Sequence, residues 1–230
     1  LGTRLRSVVS DLPKPLAPVG GKPFLEYLLN YWYGQNIKRF ILSVGYKHEL
    51  IRDQFGSKYK DAEINYAVET KPLGTGGGLL LSIKQLQSKE PFLLLNGDTF
   101  FAVNYADLLN HHIQCGADMT LSLVEVPENK RYSGVLLDKN RMVCSMETRG
   151  GSSKNPLVNG GVYMVESDLL NKYEKNISKK YSFEDELLPE FFKQKKRIAG
   201  FLGGGAFIDI GAPQDYNRAA EVLSRHGGIL

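Results

Sequence analysis

An α/β fold, a mostly parallel mixed sheet flanked by helices, is what the sequence predicts, and three observations predict it. Through the first half, short apolar runs of buried-strand length alternate with segments of helical period. That alternation is the pattern of parallel strands joined by right-handed crossovers. Composition agrees: 42% hydrophobic and 23% charged residues exclude disordered, collagen-like and coiled-coil classes. Glycine stands at 24 of 230 residues, above its usual ~7% share. It clusters at Gly20-Gly21, Gly74 with Gly76 to Gly78, Gly150-Gly151, Gly160-Gly161 and Gly203 to Gly205. Such clusters suit close backbone approach to a ligand better than flexible linkers.

The elements follow in order. A helix starts after Pro23, with apolar residues at Phe24, Leu25, Leu28, Leu29, Trp32 and Tyr33. Residues 39–44 and 63–68 read as strands, and 79–86 as a helix opening out of a glycine loop. A buried strand at 92–95 ends in Asn96-Gly97-Asp98. Residues 105–115 are helical and 119–126 extended. The second half is less regular: a hairpin of 135–137 with 142–146, a strand at 161–165, a helix at 183–193, a strand at 197–202 and a closing helix at 215–225. No composition shift marks a linker, so one domain is expected over residues 1–230; the tail 226–230 is unassigned.

No apolar run approaches the ~20 residues that span a bilayer, and the first six residues lack the layout of a secretory signal. Two cysteines, Cys115 and Cys144, are too few for a disulfide framework. A reducing, cytoplasmic setting without membrane contact is the expectation.

The net charge is +4, and Arg4, Arg6, Lys14 and Lys22 against Asp11 place +3 of it in residues 2–22. Gly2 and Thr3 beside Arg4 present amides and a guanidinium suited to phosphate oxygens. Prolines on both sides of Lys14 stiffen its backbone and aim the ammonium. Charge alone leaves a solvated basic loop equally open. In the second cluster, Glu69 to Gly78, a nearly side-chain-free loop joins a strand to a helix. A base or phosphate can approach such a backbone, and the helix N-terminus favours anions. Asp98 lies at the carboxyl end of a strand, where ligands of open α/β sheets collect. Asp209, between Ile208 and Ile210, is costly to bury unpaired. Two converging aspartates would suit Mg²⁺ bridging phosphates, whereas either alone reads as a cap or an ion-pair partner. The histidines, His48, His111, His112 and His226, have no cysteine at metal-ligand spacing and read as surface or packing residues.

Gly-Thr-Arg-Leu at 2–5, Pro-Lys-Pro-Leu at 13–16 and Gly-Lys-Pro at 21–23 together resemble the signature of the sugar-1-phosphate nucleotidyltransferases. The resemblance runs from Gly2 to about Leu223. It implies the nucleotide-diphospho-sugar transferase fold, a Rossmann-like sheet. The nucleotide-binding half would be about 1–126, the sugar-binding half about 127–212 and the C-terminal helix about 213–225. In the family this signature follows a hydrophobic first strand, which the resemblance therefore places upstream of residue 1. By the same resemblance Gly2, Thr3 and Arg4 hold the triphosphate, and Arg4 and Lys14 act on its phosphates. Gly74, Thr75 and Gly76 lie beside the base, with Glu69 near base or ribose. Asp98 and Asp209 hold Mg²⁺, and Arg4, Lys14 and Asp98 form the catalytic set. Asn159 and Gly160, in Asn-Gly-Gly-Val-Tyr, lie along the sugar, and Glu147 bonds its hydroxyls. Tyr132-Ser133-Gly134 closes the sugar pocket. Thr148 stands where the family has a lysine, with Arg149 one place further on.

The implied reaction is NTP plus sugar 1-phosphate giving NDP-sugar and pyrophosphate, for bacterial surface-polysaccharide synthesis. The segments around 181–185 and 207–216 resemble the branch that uses GTP and D-glycero-D-manno-heptose 1-phosphate. A mannose-1-phosphate guanylyltransferase and an N-acetylmuramate-1-phosphate uridylyltransferase are the alternatives, and a catalytically silent regulatory subunit is the alternative of another class. A homodimer is compatible with the resemblance. No nucleic-acid partner is expected, because the basic stretch lacks an interleaved aromatic pattern.

Overall fold

Pro13 and Pro15 hold the start of the described chain in a single 3₁₀ turn, Lys14–Leu16, because each ring fixes its own φ. The computed structural model describes residues 12–126, 132, 134–147, 156–176 and 179–226. A small hairpin, β1 (Pro18–Val19) and β2 (Lys22–Pro23), turns through Gly20 and Gly21, both at positive φ. Helix α1 (Phe24–Gly34) then buries Phe24, Leu25, Leu28, Leu29 and Trp32. Strand β3 (Arg39–Val44) leads into α2 (His48–Phe55). The sequence period does not reveal α2, because its eight residues bury only Ile51 and Phe55, a single i,i+4 pair.

Strands β4 (Lys58–Tyr59) and β5 (Ala62–Val68) complete a three-stranded sheet of order β3-β5-β4. Strands β3 and β5 run parallel from the Arg39–Glu63 pair to the Val44–Val68 pair. Helix α3 (Gly74–Ser82) begins inside the glycine run, not at residue 79. Segment 179–187 takes the space that side chains would fill: a Cβ on Gly74 would lie 2.4 Å from the Tyr181 carbonyl oxygen, and one on Gly77 2.9 Å from that of Lys179.

Next come β6 (Phe92–Leu95), β7 (Thr99–Phe101), α4 (Tyr105–Cys115) and β8 (Met119–Glu125). Asn104 caps α4 by accepting the Asp107 N–H, and Gly116 ends it in the left-handed region. The second half supplies the β9 (Val135–Leu137) and β10 (Val143–Met146) hairpin and the long β11 (Leu157–Val165). A π-helical turn, Phe183–Leu187, precedes α5 (Leu188–Lys193), where the sequence predicts one continuous helix. Pro189 has no N–H to close an α-turn onto Asp185, so the turn widens there. Strands β12 (Ile198–Leu202) and β13 (Phe207–Asp209) and helix α6 (Pro213–His226) close the fold.

The four-stranded sheet has the order β12-β8-β11-β6, with β8 and β12 parallel and β11 antiparallel to both its neighbours. Thus β11, from the second half, separates β6 and β8, which the strand–helix alternation makes neighbours. Its register shifts between Asn159 and Tyr163, at Gly160 and Gly161. Gly161 has φ 74°, and a Cβ on Gly160 would lie 2.4 Å from a Phe101 ring carbon. The glycine pair therefore lets β11 pass close over β7. Among the described residues, β3 and β6 each keep one unpaired edge, and both line a long cleft. All four residues of β6 are half-buried, where the sequence predicts a buried strand.

His112 of α4 is 1% exposed, with Nδ1 2.8 Å from Thr120 Oγ1 and Nε2 3.2 Å from Glu166 Oε1. Burial pushes its pKa below the ordinary 6.5, against the opposing pull of Glu166 and Asp118. The unfolded chain therefore takes up this proton first as pH falls. The stability that His112 contributes is complete above about pH 6.5 and is lost as pH drops from there toward the folded-state value. Urea midpoints measured from pH 7.5 to 5 should fall more steeply for the wild type than for His112→Gln; equal slopes would contradict this. Gly160→Ala should cost roughly 1–3 kcal/mol through overpacking against Phe101, measured as a lowered urea midpoint.

Candidate active site

The cleft between the two sheets receives the carboxyl ends of β3, β5 and β6. Its chemistry is set by a pairing of two three-residue strands. Strands β7 and β13 run antiparallel, with Asp209 opposite Thr99, and the Ile210 N–H donates to the Asp98 carbonyl oxygen at 3.0 Å. Asp98 and Asp209, far apart in sequence, thereby become neighbours. Asp209 folds into an Asx turn, its Oδ1 accepting the Gly211 N–H at 2.8 Å. The Tyr132 hydroxyl donates to its Oδ2 at 3.5 Å.

Lys14 reaches this pair from the other side. Its Nζ donates to Asp98 Oδ2 at 2.7 Å, both side chains being partly exposed. The 3₁₀ turn that carries Lys14 leads into the β1–β2 hairpin, which α6 braces: the Tyr216 hydroxyl donates to the Pro18 carbonyl oxygen. A Cβ placed on Gly211 would lie 2.9 Å from Asp209 Oδ1, 3.1 Å from Lys14 Nζ and 3.6 Å from Asp98 Oδ2. The three charged groups thus gather on one side of Gly211, where a side chain would crowd them.

That arrangement fits a divalent cation. Two hard carboxylates converge on a space a methyl group would fill. Mg²⁺ is ordinarily held by one or two carboxylates, with water and substrate phosphates completing its octahedron. Among the described residues no group of three or more His, Cys, Asp and Glu forms a protein-only metal cage. Asp98 and Asp209 are the residues that could hold such an ion, with substrate phosphates completing its shell.

Glu69 also lines the cleft, at the end of β5. Its Oε2 accepts the Leu73 N–H at 2.8 Å, and its Oε1 accepts the Ser43 hydroxyl at 3.5 Å. Gly78 makes room for that carboxylate, since a Cβ there would lie 2.7 Å from Oε1. Gly74 and Thr75 line the cleft beside it. Gly76 is buried against Leu187, Phe183 and Tyr181, and Thr75 Oγ1 accepts the Phe183 N–H at 2.9 Å. The backbone of this loop is thus occupied on one side by segment 179–187.

On the sugar side the sequence-predicted residues separate. Glu147 is exposed at the end of β10 and lines the cleft with Asn159. Asn159 donates to the Tyr163 hydroxyl at 2.7 Å and accepts the Gly161 N–H at 3.1 Å, so it also ties the irregular part of β11. Gly160 faces Phe101, and Gly134 is buried in a bridge to Val158, its carbonyl accepting the Glu147 N–H at 2.8 Å. Gly2, Thr3, Arg4, Ser133, Thr148 and Arg149 lie outside the described residues. Gly211 is the site residue that sequence reasoning left unassigned. The only available signal was its place two residues after an aspartate, the spacing of an Asx turn.

Comparison with known proteins bears on this geometry. The nucleotidyl transferase family model matches residues 1–225. The chain is 42% identical over 226 residues to the D-glycero-alpha-D-manno-heptose 1-phosphate guanylyltransferase of Aneurinibacillus thermoaerophilus, covering 98% of this chain and 96% of that protein. It is 39% identical over 217 residues to the enzyme of the same name from Campylobacter jejuni, covering 94% and 93%. Among solved structures, HddC from Yersinia pseudotuberculosis superposes with a TM-score of 0.83 at 33% identity, over 96% of this chain and 94% of that one, as does the same protein complexed with GMP-PN. A match along nearly its whole length, in sequence and in fold, places the chain in the nucleotidyl transferase family.

Proposed function

We propose that this protein transfers a guanylyl group from GTP to D-glycero-D-manno-heptose 1-phosphate, releasing pyrophosphate. The observation that carries the reading is the gathering of Lys14, Asp98 and Asp209 beside Gly211. The names of the two relatives about 40% identical over nearly their full length support the choice of base and sugar.

In this reading a phosphate oxygen of the sugar 1-phosphate attacks the α-phosphorus of GTP in line. The new O–P bond forms as the bond to the bridging oxygen breaks, and pyrophosphate leaves. The attacking phosphate is already anionic near neutrality, so the reaction needs no protein nucleophile or general base. The protein supplies positioning and charge. Mg²⁺ bound at Asp98 and Asp209 would neutralise charge on the phosphate oxygens. Lys14, aimed by its flanking prolines, serves the triphosphate and the departing pyrophosphate, a role that the family resemblance gives to Arg4 as well. Glu69, Gly74 and Thr75 border the base, while Glu147 and Asn159 take the sugar hydroxyls. A GTP-consuming step fits the cytoplasm, and among the described residues no helix is long and apolar enough to cross a membrane.

Pyrophosphate release measured for the four NTPs against a panel of sugar 1-phosphates tests the reading. The expected optimum is GTP with the heptose 1-phosphate; a higher kcat/KM with mannose 1-phosphate, or with UTP and N-acetylmuramate 1-phosphate, would reassign the substrate. Asp98→Ala and Asp209→Ala should each lower kcat on the order of a thousandfold, and full turnover in either would remove the metal assignment. Gly211→Ala should keep the wild-type melting temperature yet lower kcat on the order of a hundredfold, because its methyl displaces the converging carboxylates. Unchanged kinetics in that variant would show that the space beside Gly211 is not used.

A further inference from the structure

We propose that Lys14 is the resting occupant of the cation place between Asp98 and Asp209, and that a divalent metal loads only as the ammonium moves off onto substrate phosphate. The inference rests on the metal reading above and adds an exchange to it. Lys14 Nζ lies 2.7 Å from Asp98 Oδ2, and Lys14, Asp98 and Asp209 all come close to Gly211. An ion held by Asp98 and Asp209 would share the Asp98 carboxylate with the ammonium.

Charge decides the order of events. On Asp98 the ammonium already offsets the carboxylate charge that a metal would otherwise meet. A dication entering with the ammonium in place sets two cations side by side on one carboxylate. A triphosphate offers the ammonium a stronger anionic partner and removes that repulsion. Nucleotide and metal then promote each other's binding, a linkage that must be reciprocal. The exchange needs no backbone motion. Pro13 and Pro15 hold the 3₁₀ turn, while the lysine side chain swings on its own rotatable bonds.

The test is Mn²⁺ binding to the nucleotide-free protein, read by electron paramagnetic resonance of the free ion. Lys14→Met and Lys14→Gln should bind Mn²⁺ about fivefold tighter than wild type, the scale of one partly exposed ion pair. Lys14→Arg, which keeps the charge, should stay near wild type. Lys22→Met, a nearby cation paired with Glu26, should change nothing, and a similar gain there would reduce the effect to overall charge and overturn the proposal. Asp98→Asn in the Lys14→Met background should abolish the gain. Equal or weaker Mn²⁺ binding by both neutral variants, with Asp98 and Asp209 still required for Mn²⁺ binding in the presence of GTP, overturns the exchange and leaves the metal reading standing. Mn²⁺ binding that is indifferent to Asp98→Asn and Asp209→Asn, with and without GTP, overturns the metal reading itself.

Discussion

The antiparallel pairing of β7 with β13 is the contact on which the site depends. Each strand is only three residues long, and together they place Asp209 opposite Thr99 and so beside Asp98. A shift of one residue in that register would turn Asp209 to the other face of the ribbon. Phe100 and Ile208 prevent it, because both are fully buried in the core. The same apolar packing that stabilises the pair therefore aligns the two carboxylates. The cost of bringing like charges together is offset locally, by the Gly211 N–H on one aspartate and the Lys14 ammonium on the other.

Around this pair the glycines serve approach between protein segments as much as approach to ligand. Gly160 admits Phe101 and Gly161 admits Asn96, so that β11 can lie between β6 and β8 while staying close to β7. Gly74, Gly76 and Gly77 admit segment 179–187, whose Tyr181 carbonyl accepts the Gly76 N–H at 2.9 Å. Through these contacts the second half of the chain grips the helix that begins in the glycine loop. Composition alone cannot separate a glycine that clears space for substrate from one that clears space for a neighbouring strand.

Much of the fold was legible because it rests on local signals. The apolar face of α1, the helix α4 over 105–115, and the apolar runs of β3 and β8 all sit near their predicted positions. What escaped was short or tertiary in origin. Three residues carry no period, so β7 and β13 were invisible; α2 shows one apolar pair; the widened turn before α5 depends on a single proline. Lys14, Asp98 and Asp209 could be named from their types and motifs, whereas the distances among them could not.

By itself, then, the sequence determined the α/β class, the elements long enough to show a period, and the residue types able to handle phosphate and a hard cation. These are properties of neighbouring residues, and a linear pattern records them. Only the tertiary structure decided that Lys14, Asp98 and Asp209 gather beside Gly211, and that Gly160 and Gly76 turn toward protein. Those outcomes depend on strand register and on close approach between segments distant in sequence, 84 residues for Lys14 and Asp98, and no local propensity encodes such a distance.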